Sequence, residues 1–201
     1  SGPPNGIACS DLNGDGYADL LVTDLSSNGV TSFPNNGSGD FPSKTTYSAG
    51  GGAMAVAACD INEDGALDAL TVNTISSSHI EVLTNLGSGV LSYQTMYTVG
   101  TNARALLSTD FTSDNQPDVV TTNSGANTIT FYPHTGSAFG SPTDFSTGIF
   151  PAGLTSGDLD GDGLTDVLVA NPTSHPCSMS NAAFIASPNA ASSCRAVFET
   201  G

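Results

Sequence analysis

Tryptophan is absent from this 201-residue chain, and lysine and arginine together number only 3. With so few cations there is no basic patch to release counterions from phosphates, so nucleic acid is excluded as a partner and an anionic membrane face is disfavoured. The missing indole weakens any carbohydrate platform built on tryptophan and leaves Tyr17, Tyr47, Tyr93, Tyr97 and Tyr132 as rings that could stack on a sugar. No apolar run approaches the roughly 18 to 20 residues of a membrane helix, and no basic-then-apolar leader precedes the first strand pattern. A soluble, mature chain without membrane insertion is therefore expected. No Gly-x-Ser-x-Gly elbow, phosphate-binding loop or paired-cysteine motif occurs, and His79, His134 and His175 lack metal-ligand spacing. Each reads as a surface or strand residue, and a non-enzymatic chain is the expectation.

What is abundant favours strands and turns. The 23 glycines and 11 prolines, with many Ser, Thr and Asn, make poor helices. Acidic residues number 19 against the 3 basic ones, a formal charge of −16, while 38% hydrophobic content is too high for disorder. Halophily and metal binding remain, and the placement of the acids decides between them.

The acids recur in four windows: Asp11 to Asp19, Asp60 to Asp68, Asp110 to Asp118 and Asp158 to Asp166. Their first aspartates stand 49, 50 and 48 residues apart, and the windows hold 13 aspartates and Glu63 out of the 19 acids. The charge belongs to four loops, which favours metal binding. Repeats of about 1–50, 51–100, 101–148 and 149–201 follow from this period.

Each window sits between a small-apolar run (Gly6 to Cys9, Ala55 to Ala58, Ala105 to Leu107, Gly153 to Thr155) and a β-branched run (Leu20 to Thr23, Ala69 to Val72, Val119 to Thr122, Val167 to Val169). These predict two strands joined by the acidic loop. A third run (Val30 to Phe33, His79 to Leu83, Thr128 to Tyr132), a Gly/Asn/Ser turn and a fourth run (Thr45 to Tyr47, Tyr93 to Tyr97, Ala196 to Phe198) complete a four-stranded meander. In the last repeat, Ala182 to Ile185 reads as a strand as well. The expected fold is all-β, a propeller-type array of four four-stranded blades forming one domain or part of a ring. A solenoid or independent sandwiches fit a 50-residue period less well.

Oxygen ligands at loop positions 1, 3 and 5, a glycine at 6, a backbone carbonyl at 7 and an aspartate at 9 are what a hard cation requires. Oxygen donors alone favour calcium over zinc or copper, and a flexible multi-carboxylate loop favours calcium over magnesium. Up to four Ca2+ sites are expected. Their ligands are Asp11, Asn13, Asp15, Tyr17 and Asp19; Asp60, Asn62, Asp64, Ala66 and Asp68; Asp110, Thr112, Asp114, Gln116 and Asp118; and Asp158, Asp160, Asp162, Leu164 and Asp166. The fourth loop has the most carboxylates and should bind best. The third, with Thr112 and with Asn115 in place of glycine, should be weakest.

The Asp-x-Asn-x-Asp-Gly-x-x-Asp loop, with Tyr47-Ser-Ala-Gly50, Phe145 to Pro151 and Asn35 to Phe41, resembles the FG-GAP or VCBS repeat of integrin α-chain propellers and many secreted proteins. The resemblance covers nearly the whole chain. It implies a calcium-stabilised propeller of adhesion or recognition type, with the aspartates above at the family's ligand positions. Two departures stand out: family rings commonly have seven blades against four repeats here, and Phe-Gly occurs only at Phe139-Gly140.

Four cysteines remain. Cys9 and Cys59 lie one residue out of register before their loops and read as small buried packing residues. Cys177 and Cys194 form the candidate disulfide, which with the calcium loops fits an extracellular setting. The sequon Asn36-Gly37-Ser38 falls in an expected hairpin turn and admits an N-glycan or an unmodified turn. The leading functional expectation is an adhesion or structural-assembly module at a surface, secreted or on a cell, with a protein or glycan ligand. A lectin-like propeller and an accessory domain of a larger secreted hydrolase are the alternatives. Four blades leave two end faces to cover, so self-association or continuation in a longer chain is expected.

Overall fold

Runs such as Leu20-Leu-Val-Thr23 and Val119-Val-Thr-Thr122 are rich in β-branched side chains that pack on a pleated surface, and Asp-Gly turns bound them. The computed structural model describes residues 3–24, 28–74 and 77–172, and the backbone of 182–185. Among these residues there is no helix, and the strands form four antiparallel sheets. The first holds β1 (Pro4–Ser10), β2 (Asp19–Asp24), β3 (Gly29–Phe33) and β4 (Thr45–Ser48). The second holds β5 (Ala53–Cys59), β6 (Asp68–Asn73), β7 (His79–Asn85) and β8 (Leu91–Thr98). The third holds β9 (Ala103–Thr109), β10 (Asp118–Asn123), β11 (Thr128–Tyr132) and β12 (Thr143–Ser146), and the fourth β13 (Gly153–Gly157), β14 (Asp166–Ala170) and β15 (Ala182–Ile185). Strands neighbour one another in chain order within every sheet, so each described sheet is a meander.

The expected strands are all present except Ala196 to Phe198, which lies outside the described residues. The fourth strand of the third repeat, expected but not located in the sequence, is β12, which pairs Phe145 with Ile129 of β11. Its sequence Thr-Asp-Phe-Ser offers a single apolar side chain, too little for periodicity to register.

A shared irregularity shapes the first strand of three sheets. The register of β1 on β2 shifts between Pro4 and Ile7, that of β5 on β6 between Ala53 and Ala55, and that of β9 on β10 between Thr121 and Asn123. Such bulges free a backbone amide. In the first sheet the Gly6 N–H donates to Thr23 Oγ1 at 2.8 Å, and in the third the Ala105 N–H donates to Thr122 Oγ1 at 3.0 Å.

The chain divides into two compact units, Ser1–Val99 and Gly100–Gly201. Within the first, Leu12, Leu21, Val30 and Ala49 of the first repeat pack with Val56, Ala69, Leu83 and Leu91 of the second. Within the second, Phe111, Val120, Ile129 and Phe131 pack with Val167 and Val169, and the Phe111 and Phe131 rings meet edge to face at 6.2 Å. Burying each Leu, Val, Ile or Phe is worth about 1.5–3 kcal/mol, so these sheet-on-sheet clusters are the main source of cohesion.

Of the two cysteines before the first loops, one departs from expectation. Cys59 is buried, but Cys9 is exposed. A strand alternates faces with period two, so their one-residue offset from the acidic window turns them to opposite faces. Cys9 pairs with Leu20 and shares its face with Ile7, which is 65% exposed.

Candidate metal centres

Each acidic window folds as a succession of turns in which its own side chains cap its own amides. At position 1, Asp11 accepts the N–H of Gly14 and that of Gly16, both at 2.8 Å, and Asp158 accepts those of Gly161 and Gly163 at 2.8 and 3.0 Å. Asp60 and Asp110 accept from Gly65 and Asn115 at 2.8 Å. At position 5, Asp15, Asp64, Asp114 and Asp162 each accept the N–H two residues on, from Tyr17, Ala66, Gln116 and Leu164. At position 3, Asn13, Asn62 and Asp160 do the same for Asp15, Asp64 and Asp162. The bond from Gly16 and its neighbouring amides hold the Asp11 carboxyl below the usual carboxylate range.

The backbone is left-handed at position 6, as expected: Gly16, Gly65, Asn115 and Gly163 all have positive φ. It is left-handed at position 4 too, at Gly14, Glu63, Ser113 and Gly161. The sequence shows glycine there only in loops one and four. Glu63 and Ser113, with φ of 59° and 60°, hold the same conformation at a steric cost of about 1–2 kcal/mol each.

Position 9 has a different character from the rest. Asp19, Asp68, Asp118 and Asp166 are all buried. One oxygen of each accepts the N–H of position 2: Leu12 at 3.1 Å, Ile61 at 3.0 Å, Phe111 at 2.9 Å and Leu159 at 2.9 Å. In the first three loops the other oxygen reaches the end of the third strand or just beyond it, to the N–H of Asn35 at 2.8 Å, Asn85 at 2.7 Å and His134 at 2.7 Å. Burial pushes the Asp68 and Asp118 carboxyls up, against these amides. Asn35, Asn85 and His134 are the residues that the sequence reading missed, although Asn85 ends its third strand and Asn35 and His134 stand two residues after theirs. His134, read there as a surface or strand residue, is buried. Its Nδ1 lies 2.8 Å from Gln116 Oε1, which can only accept, so that nitrogen carries the proton. His79 is the first residue of β7, as a strand residue should be, and His175, Cys177 and Cys194 lie outside the described residues.

The loops differ in what they bring together. In the fourth, ligand oxygens of Asp158, Asp160 and Asp166 lie within 4.8 Å of one another, the one such carboxylate group among the described residues. Asp162 stands outside that group. The first three loops replace the position-3 carboxylate by Asn13, Asn62 or Thr112, and there the amide or hydroxyl would have to supply the third oxygen. Tyr17, at position 7 of the first loop, lays its ring on Gly37, where a Cβ would come within 2.8 Å of it. The sequon asparagine, Asn36, is exposed in the β3–β4 connection, its Oδ1 accepting the Ser38 N–H at 2.9 Å.

Four meanders, each carrying an Asp-rich loop between its first and second strands, define an all-β tandem-repeat protein. The model of the FG-GAP-like repeat matches residues 11–71 and 110–169. The chain belongs to the FG-GAP-like repeat family. No curated protein matches it. Among solved structures it is similar to the V. cholerae biofilm matrix protein Bap1, at 21% identity and TM-score 0.53 over 83% of this chain and 24% of that one. It is also similar to BBS1N, solved in complex with ARL6DN and soaked with lead, at 16% identity and TM-score 0.55 over 82% of this chain and 50% of that one. The chain thus spans half or less of the length of these two structures.

Proposed function

We propose that the chain is a calcium-rigidified, non-enzymatic module of an extracellular or surface assembly, its four sheets acting as blades of a propeller-type array. The convergence of Asp158, Asp160 and Asp166 carries this reading. Three carboxylates so close repel one another in ionised form, and a hard divalent cation with oxygen ligands removes that repulsion. The donor set fits calcium in all four loops, with Asp166 and its counterparts fixed by backbone amides before any ion arrives. Bound calcium would supply positive charge and cross-link the loop to the second strand of its sheet; four ions would halve the formal charge of −16. Membership of a repeat family and likeness to a biofilm matrix protein support the non-enzymatic and extracellular parts of the reading.

The assembly part rests on one sheet face. Leu20 is half-buried, whereas its counterparts Ala69 and Val119 are fully buried and Val167 nearly so. Ile7 and Cys9 extend the same open face. Its occupant, in our reading, is a further sheet of the same repeat type from a second copy of the chain. Calcium titration followed by calorimetry tests the metal reading: saturable binding at more than one site supports it, and no binding overturns it.

A further inference from the structure

We propose that His79 and Glu81, with Asn73, form a site for a zinc-class transition ion at the end of the second sheet away from its acidic loop. His79 and Glu81 alternate on β7, and the register sets them opposite Asn73 and Thr71 of β6. His79 Nε2 lies 3.7 Å from Glu81 Oε2, the span of two ligands on one ion at about 2.1 Å each. His79 Nδ1 is 2.7 Å from the Ser77 carbonyl oxygen. A carbonyl only accepts, so Nδ1 carries a proton, which leaves Nε2 as the ring nitrogen that faces Glu81 and could ligate an ion. A ligating histidine is typically held this way, its second nitrogen donating to a backbone carbonyl.

The third member is buried Asn73. Its Nδ2 lies 3.3 Å from His79 Nε2 and 3.4 Å from Glu81 Oε2, while its Oδ1 is buried without a hydrogen-bond partner. Turning the carboxamide about its last side-chain bond would aim that oxygen at the pair. Gly50 keeps the spot open. A Cβ there would stand 2.6 Å from Glu81 Oε2, 3.1 Å from His79 Nε2 and 3.3 Å from Asn73 Nδ2. The His79 and Glu81 side chains are 13% and 9% exposed, so the pair is not sealed from solvent.

Comparison with the third sheet shows that the fold does not ask for these side chains. There the same register positions carry Thr128 and Thr130, whose hydroxyls accept from Asn123 Nδ2 at 3.0 and 2.8 Å. Two hydroxyls satisfy that asparagine, the Thr130 hydroxyl donating on to Asp144 Oδ1 at 2.7 Å, whereas the second sheet buries a carboxylate 3.7 Å from an imidazole, an arrangement that a bound divalent ion would stabilise. An imidazole nitrogen beside oxygen donors suits zinc, where the all-oxygen loops suit calcium.

Calorimetric titration of the 201-residue chain with zinc, calcium held in excess, tests the proposal. Wild type should bind one zinc more than the double variant His79→Thr, Glu81→Thr, and each single variant should weaken that site about tenfold or more. The threonines copy the third sheet, so the double variant should keep the wild-type melting temperature. Equal zinc binding by wild type and double variant would overturn the site, as would a wild type that takes no zinc. Cobalt(II) added to calcium-loaded wild type gives a second reading that needs no variant: paramagnetic broadening centred on Gly50, Asn73, His79 and Glu81 supports the site, and broadening at the acidic loops alone refutes it.

Discussion

The side-chain amide of Asn85 donates to the carbonyl of Leu12 at 2.6 Å, joining the end of β7 to the first acidic loop across 73 residues of sequence. The same Nδ2 donates to Leu67 at 3.1 Å, and the Asn85 N–H donates to Asp68. One residue therefore ties two acidic loops and two sheets together. Asn85→Ala should destabilise the protein by about 1–3 kcal/mol, because the Leu12 and Leu67 carbonyls lose their donor. Denaturant unfolding measures this; a change below about 0.5 kcal/mol would show that water replaces the amide without loss.

Position 9 should matter to the fold even without metal. Asp118 accepts the N–H groups of Phe111, Thr112 and His134 from a buried position, while exposed Asp160 accepts one, from Asp162 at 3.2 Å. In chelator, Asp118→Ala should lower the melting temperature by several degrees and Asp160→Ala should leave it nearly unchanged. In calcium, both should lose stability. Equal melting temperatures for the two variants in chelator would reduce Asp118 to a metal ligand only.

Loop four should bind calcium most tightly and loop three least. Asp160→Ala removes one of three converging carboxylates, whereas Asp114→Ala acts in a loop with Thr112 and Asn115. The first substitution should therefore cost more calcium affinity. Anomalous scattering from crystals grown at limiting calcium would rank the loops directly, and ion density in loop three with none in loop four would reverse the order.

Much of this arrangement could be read from the chain, because metal-type loops are local: one nine-residue window holds both the ligands and the turn glycine. The strands flanking each window were equally legible, since Leu20 to Thr23 and Val119 to Thr122 can hardly be anything else. What escaped is non-local or chemically disguised. The bond from the Asn35 N–H to Asp19 depends on a hairpin closing over 16 residues, and nothing in either residue type announces it. Left-handed backbone at Glu63 and Ser113 is hidden because neither is glycine. His79 and Glu81 looked like ordinary strand residues until pairing with β6 set them beside Asn73.

The open face of the first sheet should drive self-association. Ile7, at 65% exposure, lies on it, and Ile7→Asp should weaken any oligomer without unfolding the chain. Light scattering over a concentration series is the check. A wild type that stays a 20.2 kDa monomer at every concentration would remove the second copy as occupant.

Thermal melting in calcium and in chelator shows whether the four loops stabilise the fold by holding ions. A site that binds only the folded state adds about 2.7 kcal/mol at a hundredfold excess of ion over Kd. In a protein of this size that raises the melting temperature by about 5 to 10 °C per filled site. Two well-separated curves are expected, with the gap narrowed in Asp160→Ala. Superimposed curves would contradict stabilisation by calcium, leaving the four loops as turns closed by their own hydrogen bonds.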